Sequence, residues 1–248
     1  MKTIAIVQAR MSSTRLPGKV LKPLSGKVVL EHVLERLRKC KLIDQIVIAT
    51  TTDEIDDQLV EWCNKKNVMC FRGDRNDVLS RYYECASKFN AEEVVRITSD
   101  NPLIDPEIVD EVIALRRKSE ADYAANNLEK SFPHGLDVEV MTFQALAESN
   151  KNAIEDFERE HVTQYIRHRP KQYKLINLSA DGGNWHSIRL TLDEDADRQL
   201  IEVVMRLLGN DLRFKDLIEL FSELPSLAKM NTEAREWHAG YNKNENII

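Results

Sequence analysis

The chain has 248 residues, 42% of them hydrophobic, with 35 Lys and Arg against 41 Asp and Glu and a net charge of −6. That length suits one large α/β domain whose core needs no covalent staples. The acidic balance excludes broad, sequence-blind nucleic-acid binding but allows a local cationic pocket for a small anion.

The first strand is expected in "TIAIVQA", 3–9, and is followed by "QARMSSTRLPGK", 8–19. "KVVLEHVLERLRKC" places Val29, Val33, Leu34 and Leu37 at helical spacing before a second strand, "QIVIAT", at 45–50. Ile55, Leu59, Trp62 and Cys63 form a helical stripe over 54–66, behind an expected Asp53 cap. A short strand, "VMCF" at 68–71, then precedes a helix over 77–89, a strand over 93–100 and a helix from Pro106 to about 118. This βαβαβαβα rhythm predicts an α/β fold, a mostly parallel sheet with helices on both faces. Such sheets bind ligands beyond the carboxyl ends of their strands.

The second half is less regular. Strands are expected at "ADYAAN", at "GLDVEVMT" over 135–142, and near 173–178 and 187–192, with one helix containing "FEREHVTQYIRH" between. The last clear helix, 194–208, presents Leu200, Val203, Val204, Leu207 and Leu208 as its apolar face. The expected organisation is one domain over 1–228, with an elaboration at about 126–185, and a polar tail over 229–248. The elaboration would supply the acceptor side of a site or a subunit contact, which makes a homodimer the expected assembly.

The cysteines Cys40, Cys63, Cys70 and Cys85 form no CxxC pair and read as small buried hydrophobes rather than a metal or redox site. Trp62, Trp185 and Trp237 read as packing residues. With no signal-like start and no apolar run approaching the ~20 residues of a membrane helix, a cytoplasmic protein without membrane attachment is expected.

Chemistry concentrates at two strand ends. The loop after the first strand holds Arg10, Arg15 and Lys19 with Ser12, Ser13, Thr14 and a Pro17-Gly18 turn. Backbone N–H groups in such a loop can form an anion-binding concavity, with Arg15 offering a fork of donors and Lys19 a mobile point charge. It is neither a Walker A loop nor a GxGxxG loop. Asp100, in "RITSDNP", and Asp193, in "IRLTLDEDAD", each end an apolar strand pattern and suit either capping or a divalent cation. Asp195 and Asp197 suit the start of the following helix.

"QARMSSTRLPGK" resembles the signature loop of the CMP-sugar cytidylyltransferases. "FRGDRNDVLSRYY", "RITSDNPLIDP", "FPHGLDVEV", "EREHVTQYI" and "RLTLDEDAD" are similar to the spore-coat polysaccharide branch, in order over about 1–220. The resemblance implies a Rossmann-like nucleotide-diphospho-sugar transferase fold, CTP as donor, Mg²⁺ as cofactor and a sugar acid or related acceptor in surface or spore-coat polysaccharide biosynthesis. By position, Arg15, Lys19 and Asp100 match catalytic residues, and Asp100 with Asp193 the metal ligands. Ala9, Arg10, Ser12, Ser13 and Thr14 match nucleotide contacts, more loosely joined by Asp77 and Arg81. His134, Asp137, Glu139, Glu160 and His161 are expected acceptor contacts. "SDNP" stands where the octulosonate enzymes carry a "GDEP"-like run, which leaves the acceptor open. Two other readings remain open here: a metal-dependent glycosyltransferase using a nucleotide sugar, and a nucleotide-binding protein without catalysis.

Overall fold

The computed structural model describes residues 1–231. Strand β1 (Thr3–Gln8) lies at the centre of a sheet, flanked by β4 (Gln45–Thr51) and β6 (Glu93–Thr98), both parallel to it. Its side chains alternate between two cores, so both faces of the strand are apolar. Ile4 and Ile6 pack with α3 (Val78–Lys88) and α5 (Phe143–Asn152); Ala5 and Val7 pack with α1 (Val29–Leu37), α4 (Pro106–Ser119) and α8 (Asp195–Leu208). A two-strand hairpin, β2 (Pro23–Leu24) and β3 (Lys27–Val28), leads into α1.

Beyond β4 lies β5 (Met69–Gly73), reached through α2 (Asp57–Lys65). Beyond β6 come β8 (Glu139–Thr142), β7 (Tyr123–Ala125) and β9 (Leu175–Asn177), giving the order β5-β4-β1-β6-β8-β7-β9. Only β8 runs against its neighbours among the seven strands of this sheet. Short helices α6 (Asp156–Glu160) and α7 (Gln164–Arg167) pack on each other, α6 against α3 and α7 against α5, and α9 (Phe214–Glu223) follows α8.

Several expectations are corrected. The stretch expected as a helix from 54 begins with a 3-10 turn, Glu54–Asp56, and α2 starts at Asp57. Asp53 pairs with Arg75 instead of capping, and Ile55 is 48% exposed, because the turn swings Asp56 inward rather than the isoleucine. The single helix expected through "FEREHVTQYIRH" is broken at Val162, which has φ 60. There the Thr163 hydroxyl donates to buried Glu139, a contact that competes with helix continuation. Residues 187–192 form no strand; they are an extended strap joined to His134 by one parallel bridge. On α8 the inward residues include Ile201 and Met205, while Leu207 points out. Of the expected tail, Asn231 is buried and donates to the Arg189 carbonyl and to Asp197. Residues 232–248, with Trp237, lie outside the described residues.

Candidate active site

The loop after β1 is shaped by backbone hydrogen bonds. Met11 N–H donates to the Asp56 carboxylate at 2.7 Å, and Gly18 N–H donates to the Met11 carbonyl at 2.9 Å, closing the loop on itself. Asp56 is fully buried and also accepts from the hydroxyls of Thr50 and Thr51 and from Thr51 N–H. Burial opposes its charge, but these donors outweigh it and hold the carboxyl below its usual range. Gly18, at φ 69, supplies the left-handed turn that starts a short 3-10 helix, Lys19–Leu21. Val20 is buried in the core, so Lys19 is held 8% exposed with its ammonium directed across the sheet.

That ammonium meets both Asp100, beyond the end of β6, and Asp193, at the end of the strap. Lys19 Nζ donates to Asp100 Oδ2 at 2.8 Å, to Asp193 Oδ1 at 2.7 Å and to the Leu192 carbonyl at 3.0 Å. Arg15 lies 3.0 Å from the same Asp193 oxygen. Burial alone would lower the lysine pKa, but the two carboxylates raise it above its ordinary value. In the same way, burial pushes Asp100 up, and Lys19 outweighs it and keeps the carboxyl low. Two acids from distant sequence positions are thereby brought onto one ammonium.

Asp193 is braced from behind. Arg189, 3% exposed, donates to Asp193 Oδ2 at 2.5 Å and to Asp197 Oδ1 at 3.2 Å. Asp197 Oδ2 accepts from Asp193 N–H and Glu194 N–H, capping α8 as its position suggests. Asp195 pairs at the surface with Arg198. The strap also ties to Asp100 directly, since Leu192 N–H donates to the Asp100 carbonyl at 2.7 Å.

Three adjoining cavities form one cleft along the carboxyl ends of β1 and β6. The first, about 480 Å³, is lined by Ala9, Arg10, Ser13, Thr14, Arg15, Lys19, Asp100 and Asp193. The second, about 790 Å³, shares Gln8 and Arg10 and adds Asp77, Glu160 and His161. The third, about 390 Å³, shares Arg15, Asp100 and Asp193 and adds His134 and Asp137 with Lys130, Arg167 and His186. The residues singled out from the sequence thus fall in different cavities, Glu160 and His161 in the second and His134 with Asp137 in the third, and Arg96 lines both.

Four of those residues stand apart from the cleft or are engaged elsewhere. Ser12 does not line it; its hydroxyl is buried without a partner. Arg81 is 1% exposed and donates to the Asp74 carbonyl. Glu139 is buried behind the third cavity, accepting from the Tyr123 and Thr163 hydroxyls and paired with Arg96. Asp77 reaches the second cavity but caps α3 through Ser80 N–H and binds Arg159 with both oxygens. Arg189, Asp56 and His186 are site residues that the sequence does not mark. Each lies in a polar-apolar mixture that reads as a solvated face, and only "RLTLD", already notable for Asp193, offered a signal.

A cationic loop behind the first strand, facing one aspartate beyond the end of β6 and another at the end of the strap, in a sheet with one reversed strand, is the arrangement of a nucleotidyltransferase. The chain belongs to the cytidylyltransferase family, whose model matches residues 4–232, and it is a CTP-dependent nucleotidyltransferase of nucleotide-diphospho-sugar transferase fold. It is 35% identical to the spore coat polysaccharide biosynthesis protein SpsF of Bacillus subtilis, over 90% of this chain and 95% of that protein. It is 38% identical to an uncharacterized protein of Methanocaldococcus jannaschii, over 95% and 97% of the two chains. Its structure is similar to that of a cytidylyltransferase from Leptospira borgpetersenii, with a TM-score of 0.87, 32% identity and 92% and 97% of the chains covered.

Proposed function

We propose that this enzyme transfers the CMP unit of CTP to a sugar acid or related anionic acceptor in the assembly of a surface or spore-coat polysaccharide. An acceptor oxygen attacks the α-phosphorus, the bond from that phosphorus to the bridging oxygen breaks, and pyrophosphate leaves. The observation that carries this reading is the convergence of Lys19, Arg15, Asp100 and Asp193 on one point of the cleft. Arg15 and Lys19 bind the β- and γ-phosphates and counter the charge that builds on the departing pyrophosphate. The Ser13–Thr14 segment and Ala9 line the nucleotide. Arg10 stands between the first and second cavities, where it can serve the nucleotide at either.

The donor set fits a divalent cation. Asp100 Oδ2 and Asp193 Oδ1 lie 2.8 and 2.7 Å from Lys19 Nζ, so a divalent cation shared by both would displace that ammonium and leave it to the phosphates. Among the described residues no group of three or more His, Cys, Asp and Glu side chains forms a metal cage. Two carboxylates completed by phosphate oxygens and water suit Mg²⁺. Bound there, Mg²⁺ would supply Lewis-acid polarisation of the α-phosphate. On the acceptor side, Lys130 and Arg167 line the third cavity beside His134, which favours an anionic acceptor. We place the enzyme in the cytoplasm as a homodimer, with the exposed Ile154 and Phe157 as a candidate contact.

Pyrophosphate release tests the proposal, with each of the four nucleoside triphosphates crossed against sugar acids, sugar phosphates and phosphonates. Release from CTP with an anionic acceptor is expected. Nucleoside diphosphate released from a nucleotide sugar, or CTP binding without turnover on the whole panel, would contradict it.

A further inference from the structure

The strap 188–193 joins the two halves of the cleft. At one end it carries Asp193; at the other it is stitched to the loop bearing His134, with His134 N–H donating to the Ile188 carbonyl and Leu190 N–H to the His134 carbonyl. Arg189 projects from the stitched end. Besides its bonds to Asp193 and Asp197, its NH1 lies 3.1 Å from His134 Nδ1. A guanidinium has only donors, so Nδ1 must accept and the proton of the neutral ring sits on Nε2. His134 Nε2 lies 3.9 Å from Asp137 Oδ2, and both residues line the acceptor-side cavity. The arginine is itself fixed, because Asn231 binds both its carbonyl and Asp197.

We propose that Arg189 is a positioning residue for the transfer, holding Asp193 and His134 on one guanidinium. It turns Asp193 Oδ1 toward Lys19 and presents His134 to the acceptor as an Nε2–H donor. Buried partners of this kind set the orientation and charge of the groups they hold. A lysine at 189 could neutralise Asp193 but has no fork with which to reach Asp197 and His134 as well. The acceptor part of this inference rests on the proposed transfer; the tautomer part does not.

Two readouts test it. Long-range ¹H–¹⁵N spectra of histidine-labelled protein, with His134 assigned by loss of its signals in His134→Gln, should show the Nε2–H tautomer in the unliganded wild type. In Arg189→Lys that signal should shift toward a mixture. With an acceptor found by pyrophosphate release, Arg189→Lys should lower kcat/KM for that acceptor by about 10–100-fold. The KM for CTP should change less than the acceptor parameter, a split that general loss of fold would not give. A wild-type His134 protonated on Nδ1 overturns the inference, as does a folded Arg189→Lys enzyme with unchanged acceptor kinetics. If that variant does not fold, the wild-type tautomer decides. Absence of turnover with every acceptor would count against the proposed function, whereas the spectrum judges Arg189 separately.

Discussion

Replacing Gly135 by alanine should loosen the whole site from a residue that touches no substrate. Gly135 sits at φ +112, and a Cβ built there meets Leu190 C at 2.5 Å, Thr191 N at 2.6 Å and Leu190 O at 2.8 Å. All three are backbone atoms of the strap, so no side-chain rotation can relieve the overlap. A non-glycine residue in that conformation costs about 1–3 kcal/mol. Forcing extra atoms into a packed contact costs a further 1–3 or so, which gives a loss of about 2–6 kcal/mol in all. Much of this can be relieved only by lifting the strap, which would separate Asp193 from Lys19 and His134 from Arg189. Urea unfolding followed by tryptophan fluorescence measures the stability loss, and calorimetry measures CTP binding to the folded fraction. An unfolding free energy within about 0.5 kcal/mol of wild type, the range of an ordinary surface change, would refute this account of the strap.

Other expectations concern single charges. Lys19→Ala should weaken CTP binding by about 1.5–3 kcal/mol, the scale of hydrogen bonds to charged groups; calorimetry showing no loss would place the lysine outside the nucleotide site. Asp100→Asn should suppress metal-dependent turnover far more than it shifts the unfolding midpoint, and unchanged metal dependence would remove Asp100 from the centre. Glu139 bears on acid stability. Burial raises its pKa, but Arg96 and Arg167, with the Tyr123 and Thr163 hydroxyls, outweigh burial and bring it down to about 2. Its pKa is therefore lower folded than unfolded, so its stabilisation is complete above the ordinary glutamate range near 4.3 and is lost as pH falls toward 2. In Glu139→Gln that part of the acid dependence should disappear, together with about 3–5 kcal/mol of stability at neutral pH from stranding Arg96. Retention of the wild-type acid limb would contradict the assignment.

The first half of the fold was legible because its strands are buried on both faces and read as unbroken β-branched runs, as in "TIAIV" and "QIVIAT". Asp100 and Asp193 stand out because each is a carboxylate close behind a strand-like stretch, "VVRITS" and "IRLTL". Glu139 shows the limit of such reading. Alternation along "GLDVEV" correctly separates two faces, but whether solvent or Arg96 lies opposite depends on β6, more than 40 residues away. Arg189 was missed on similar grounds, because a buried arginine and a solvated one look alike until their partners are placed. The break at Val162 arises where Thr163 pairs with Glu139 across the fold, a tertiary contact that overrides helical periodicity. Asn231 likewise resembles a loose tail until Arg189 and Asp197 are seen beside it.

In the proposed transfer, Asp100 and Asp193 share one divalent cation with the triphosphate of CTP beneath Arg15 and Lys19. A crystal grown with CTP and Mn²⁺, using manganese anomalous scattering to locate the ion, tests this directly. One anomalous peak bound by both carboxylates, with the nucleotide phosphates against Arg15 and Lys19, is the expected result. A nucleotide seated in the cleft with the manganese away from either aspartate would contradict it.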